Sequence, residues 1–103
     1  MGLGNPTNAI VSNVIRLTGR TRGTDINISS SVQETPVLPE GIYDVWSTVD
    51  CYISTGVSNS GLTTSNGYLL RAGNTVSVEL DGENKEKIGV RGTSGVFSFH
   101  QVG

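Results

Sequence analysis

The chain has 103 residues, 35% hydrophobic and 6% aromatic, with 14 Gly and a formal charge of −2. That length allows one domain with one thin core, and domains this small commonly lean on disulfides, metals or partner subunits. Cys51 is the only cysteine and His100 the only histidine, which excludes an internal disulfide and a Cys/His zinc site, so association with copies of itself or with a larger surface is what remains.

The first 23 residues have no sustained period. Asn5-Pro6-Thr7, Gly19 and Gly23 punctuate them. The apolar islands Ala9-Ile10-Val11 and Val14-Ile15-Arg16-Leu17 suit short edge strands or a single helical turn. Arg16, Arg20 and Arg22 are the only charged side chains before Asp25, which gives this stretch +3. The rest of the chain has four basic and nine acidic residues, or −5. Such asymmetry marks an interaction arm, so residues 1–23 are expected to be an extended arm that orders on contact. Residues 24–103 are expected to form the domain. The opening Met1-Gly2-Leu3-Gly4-Asn5-Pro6 lacks the pattern of a secretory signal, and Pro6 spoils a myristoylation match. Synthesis and folding in a cytoplasm are therefore expected. No apolar run approaches the roughly 20 residues that span a bilayer, so no membrane partner is expected.

From Thr24 the period becomes two. Ile26, Ile28, Ser30 and Val32 alternate with Asp25, Asn27, Ser29 and Ser31, the mark of a half-buried strand. Pro36 and Pro39 then exclude helix. Residues 41–47 and 49–53 are dense in β-branched and aromatic types, with Val49, Cys51 and Ile53 on one face. The Ser/Thr/Asn/Gly-rich stretch 56–66 reads as a surface loop. Further strands are expected over 68–70, 76–80, 88–90 and 96–102. Asn66-Gly67, Gly73-Asn74, Asp81-Gly82 and Ser94-Gly95 mark turns at the joints. About seven short strands at this spacing predict an all-β fold, a single small antiparallel β-sandwich or jelly-roll-like barrel.

Chemistry is sparse. A general base is most often His, and His100 sits three residues from the C-terminus on a strand with Ser98 and Val102; a structural or solvent-facing role is expected. Cys51 has no cationic neighbour in sequence that would lower its pKa, and a buried, inert thiol is expected. Asp44 and Asp50 flank Trp46, but a bend between them argues against the paired carboxylates of a glycosidase. Asp81-Gly82-Glu83-Asn84 lacks the spaced oxygen ligands of a calcium loop and reads as a β-turn. Gly19-Arg20-Thr21-Arg22-Gly23 has neither the strand nor the helix of a phosphate cradle. The acidic body disfavours nucleic acid as a partner. Asn27-Ile28-Ser29 matches a glycosylation sequon but is read as coincidence without a secretory signal. No cofactor, metal or catalytic role is expected. Trp46 and Tyr43 are the candidate glycan contacts, because aromatics on a sandwich can stack on sugars. The ordinary role of a lone Trp is to anchor the core, and that is the expectation adopted for Trp46.

The residues from Gly41 to Val102 carry a resemblance. Val45-Trp46-Ser47-Thr48-Val49-Asp50-Cys51-Tyr52-Ile53, then residues 63–74 (Thr63-Thr64-Ser65-Asn66-Gly67-Tyr68-Leu69-Leu70-Arg71-Ala72-Gly73-Asn74), then Lys87-Ile88-Gly89-Val90 and Ser94-Gly95 follow one another in a recognisable order. This order resembles a group of small virion proteins encoded beside capsid genes in tailed bacteriophages. The match covers about 60% of the chain, leaves out the arm, and rests on structural motifs. The resemblance implies a capsid decoration, or cement, protein that docks on the major capsid protein at the virion surface, as a homo-oligomer with a trimer favoured. Ile10, Val11, Val14, Ile15, Arg16, Leu17, Arg20 and Arg22 are then expected to be the capsid-contacting arm. A carbohydrate- or receptor-binding module and a head–tail connector or tail component are the alternatives.

Overall fold

Alternation of inward and outward side chains sets the architecture of the computed structural model, which describes residues 24–103 except Gly82 and Asn84. The arm assigned to residues 1–23 lies outside the described residues. Eight strands follow in order: β1 (Ile26–Ile28), β2 (Gln33–Glu34), β3 (Gly41–Ser47), β4 (Cys51–Gly56), β5 (Tyr68–Leu70), β6 (Thr75–Leu80), β7 (Lys87–Gly92) and β8 (Gly95–Gln101). No described residue is helical. Two four-stranded antiparallel sheets result, ordered β1-β8-β3-β6 and β2-β7-β4-β5.

The pairing has a simple logic. β1 pairs with β8, β2 with β7, β3 with β6 and β4 with β5, as though one long hairpin had its tip at the β4–β5 loop. Rolling that hairpin adds the β3–β8 and β4–β7 contacts and gives the two sheets of a jelly roll. The all-β sandwich expected from period and turn spacing is thus the observed fold.

The strand count differs by one from the seven expected. The alternating run 24–32 does not form one strand: it ends at Ile28, bends over Ser30 and Ser31, and resumes as β2 in the opposite sheet. Ser29 and Ser31 share a hydroxyl–hydroxyl bond of 3.0 Å, and the Ser31 N–H is turned onto the Ser29 hydroxyl. Short hydroxyl side chains competing for nearby backbone groups favour such a corner over continued pairing.

The core lies between the sheets. Ile28, Tyr43, Val45, Phe97, Phe99 and Leu80 come from one side, and Cys51, Ile53, Leu70, Ile88 and Val90 from the other. Phe97 and Phe99 stack with ring centroids 6.4 Å apart. The stretch 56–66 is less superficial than its composition suggests, because Asn59 and Leu62 are buried within it. It folds back on β4: a Cβ at Gly67 would come within 2.8 Å of the Tyr52 Cβ and 2.6 Å of Leu62 Cδ1. Only glycine permits that close approach.

Candidate functional site

The outer face of the β1-β8-β3-β6 sheet gathers the side chains with binding character. On β3 the inward residues are Tyr43, Val45 and Ser47, so Ile42, Asp44 and Trp46 point outward. Register then fixes their neighbours. Trp46 lies between Ser98 of β8 and Thr75 of β6, and Asp44 between His100 and Ser77. Ile42 faces Glu79. Trp46 is 38% exposed and Ile42 42%. An indole 38% open to water on the outer face of a sheet does not anchor the core between the sheets. The expectation that Trp46 anchors the core is therefore corrected.

Tyr43 is corrected in the opposite sense. It is 3% exposed and packs in the core, while its hydroxyl donates to the Pro39 carbonyl at 2.7 Å. One residue of offset on a strand sends a side chain to the other face, so Tyr43 cannot share a ligand with Trp46.

Polar groups surround Trp46 in fixed positions. The Ser77 hydroxyl donates to Asp44 Oδ1 at 2.6 Å, and the Ser98 hydroxyl to Asp25 Oδ1 at 2.8 Å. His100 Nε2 is buried with no hydrogen-bond partner. Ser, His and Asp thus share a face, yet these two hydroxyls donate to carboxylates and not to the imidazole. A Ser–His–Asp relay needs the hydroxyl bonded to the imidazole, whereas Ser77 and Ser98 are bonded to Asp44 and Asp25. The face sets an exposed indole among hydroxyls, a carboxylate and an imidazole.

No protein family, curated protein or solved structure that was compared matches this chain.

Elsewhere, Cys51 is fully buried. Burial pushes its thiol pKa up, the Ser47 hydroxyl 3.5 Å away opposes this, and the Asp50 charge adds to it. It therefore stays protonated and unreactive. Asp50 does not join Asp44: it accepts the Ala72 N–H at 2.8 Å, at the β5–β6 turn. Among the described residues no cluster of three or more His, Cys, Asp or Glu is arranged to hold a metal. No described helix is long and apolar enough to cross a membrane. The candidate contacts Ile10, Val11, Val14, Ile15, Arg16, Leu17, Arg20 and Arg22 lie outside the described residues. Sequence reasoning had the signal for the Trp46 face, because period two places Asp44, Trp46 and Thr48 together. It missed Ile42 and the cross-strand partners, which only register brings in.

Proposed function

We propose that this protein is a non-enzymatic virion structural protein of a tailed bacteriophage, a capsid decoration protein that docks on the major capsid protein. The observation that carries this reading is that two large apolar side chains, Ile42 and Trp46, stand exposed on the outer face of β3 with Asp44 between them. An exposed Trp with its polar indole N–H is a residue type enriched at protein contact sites. The resemblance of residues 41–102 to small virion proteins supplies the partner, and the jelly-roll strand order is one that capsid proteins use. Many weakly docked copies on a repeating shell give strong overall attachment. The arm, with its apolar islands and three Arg, is a second capsid contact, and a trimer is the favoured oligomer.

The test uses shells built from the major capsid protein of the phage that encodes this chain. Added protein should co-sediment with the shells and raise the temperature at which they come apart. Trp46→Ala should weaken that attachment. Protein that stays in the supernatant at saturating concentration would sink the reading.

A second reading is favoured by the same indole. Trp46 between Ser98 and Thr75, with Asp44 and His100 one row away, also has the form of a sugar-stacking platform. Binding on a glycan array that disappears with Trp46→Ala, without shell attachment, would select it.

A further inference from the structure

The outer face of the other sheet gathers an amine, a carboxylate, a carboxamide and a hydroxyl at one point. On β7 the core residues are Ile88 and Val90, so Lys87 and Gly89 face away from the core. Gly89 pairs with Glu34 of β2 on one side and with Ser54 of β4 on the other. Because Gly89 has no side chain, Asn59 from the loop after β4 lies directly over it: a Cβ there would stand 2.8 Å from Asn59 Cγ. Asn59 is 4% exposed. Its Oδ1 accepts the Ser54 hydroxyl at 2.6 Å, and its Nδ2 donates to Glu34 Oε2 at 3.1 Å. The other oxygen of that carboxylate, Oε1, is 3.9 Å from Lys87 Nζ. One carboxylate therefore sits between the Lys87 amine and the Asn59 carboxamide.

We propose that these groups form an isopeptide bond between Lys87 Nζ and Asn59 Cγ, in a single turnover that the protein performs on itself. Each part has a chemical role. Lys87 is the nucleophile, Asn59 Cγ the electrophile, and Glu34 the base and acid that moves protons between the two nitrogens. The Ser54 hydroxyl already points at Oδ1, where negative charge develops on attack. Glu34 takes one proton from the Lys87 ammonium, and the freed lone pair attacks Cγ while the carbonyl π electrons move onto Oδ1. Glu34 passes its proton to Nδ2 and takes another from the nitrogen of the new C–N bond. The carbonyl re-forms, the Cγ–Nδ2 bond breaks, and ammonia leaves, taking that last proton as ammonium. Glu34 returns to a carboxylate, nothing is oxidised or reduced, and no co-reactant is needed.

The step follows folding, which alone brings these groups together, so the newly folded chain is held at this point by hydrogen bonds. The finished bond joins residues 28 apart in sequence, and a cross-link of that kind restricts the unfolded chain. A thin core whose only cysteine is unpaired gains a covalent staple in this way. The bond does not depend on what the protein docks on.

The experiment follows the intact mass of the full-length protein during prolonged incubation at neutral pH, with a protease digest to locate any change. The wild type should become lighter by one molecule of ammonia, and its digest should contain a branched peptide carrying both Asn59 and Lys87. Lys87→Arg should keep its full mass. Glu34→Gln and Ser54→Ala, with folding checked by urea unfolding, should each form the bond about a hundredfold more slowly. A wild type that keeps its full sequence mass would overturn the proposal, whatever the variants do. So would ammonia loss without a branched peptide, because Asn66, followed by Gly67, loses ammonia by closing on the next backbone nitrogen. A branched peptide formed at the wild-type rate by Glu34→Gln would overturn the role given to the carboxylate.

Discussion

Glu34 and Asn59 meet at a single carboxylate oxygen: Glu34 Oε2 accepts the Asn59 backbone N–H at 2.6 Å and its side-chain N–H at 3.1 Å. Asn59 also donates to the carbonyls of Lys87 and Gly56 and accepts the Ser54 hydroxyl at 2.6 Å. Its own carbonyl takes the Leu62 N–H. One loop residue thereby ties together β2, β4 and β7. Asn59→Ala removes these side-chain bonds and leaves the Lys87 carbonyl and Ser54 hydroxyl short of a partner. A loss of about 2–3 kcal/mol in urea unfolding is expected. Glu34→Gln should cost less, because the ion pair it breaks with Lys87 is 3.9 Å long and partly exposed. Equal losses would mean that the carboxylate charge, not the Asn59 carboxamide, holds the loop.

Gly89 is the floor beneath that carboxamide. A Cβ there would sit 2.4 Å from Asn59 Cβ and 2.8 Å from Cγ. Gly89→Ala should therefore cost about 1–3 kcal/mol through overpacking. Asn59→Gly removes the obstructing atoms, so the two changes should be strongly non-additive. A double-mutant cycle by urea denaturation measures this coupling, and simple additivity would show that the loop moves aside at no cost.

The period-two runs were enough to read the sandwich, because inward Tyr43, Val45, Phe97 and Phe99 alternate with polar residues in sequence. The β1–β2 corner was not legible. Ile26 to Val32 keeps a strand-like alternation, and the switch between sheets is made by Ser29 and Ser31 hydroxyls whose preference is local and weak. The buried role of Asn59 was hidden for another reason. Its partners Glu34 and Lys87 lie 25 and 28 residues away, and no local pattern reports such distances. For the candidate site, alternation placed Trp46 beside Asp44, whereas the flanking Ser98, His100, Ser77 and Thr75 depend on register between strands far apart in the chain.

Cys51 gives a stability signature in alkaline solution. Burial raises its thiol pKa in the folded state above the ordinary value near 9. Below the unfolded value both states are protonated, and the stability associated with this group is fully present. As pH rises past that value the unfolded thiol ionises first, so stability falls until the folded pKa is reached, at up to about 1.4 kcal/mol per pH unit. Urea midpoints should thus fall more between pH 8 and 10 (about the range where thiols ionise) for wild type than for Cys51→Ala. A thiol reagent at neutral pH should label Cys51 only at the rate of unfolding. Rapid labelling of the folded protein would contradict the burial.

Trp46 and Tyr43, three residues apart on β3, should respond in opposite ways. Trp46 projects from the outer face and is 38% exposed. Trp46→Ala should leave the fold intact with a loss of about 1 kcal/mol or less, since surface substitutions away from packed features are mild. Whatever this face binds, shell or sugar, the same variant should lose it. Tyr43 lies in the core with its hydroxyl bonded to the Pro39 carbonyl. Tyr43→Phe should cost about 1 kcal/mol of stability through that bond and leave binding unchanged, because the hydroxyl never reaches the outer face. Measuring both variants by thermal unfolding and by shell co-sedimentation separates the roles. Binding lost through Tyr43→Phe at full stability would place the contact surface elsewhere than on the Trp46 face.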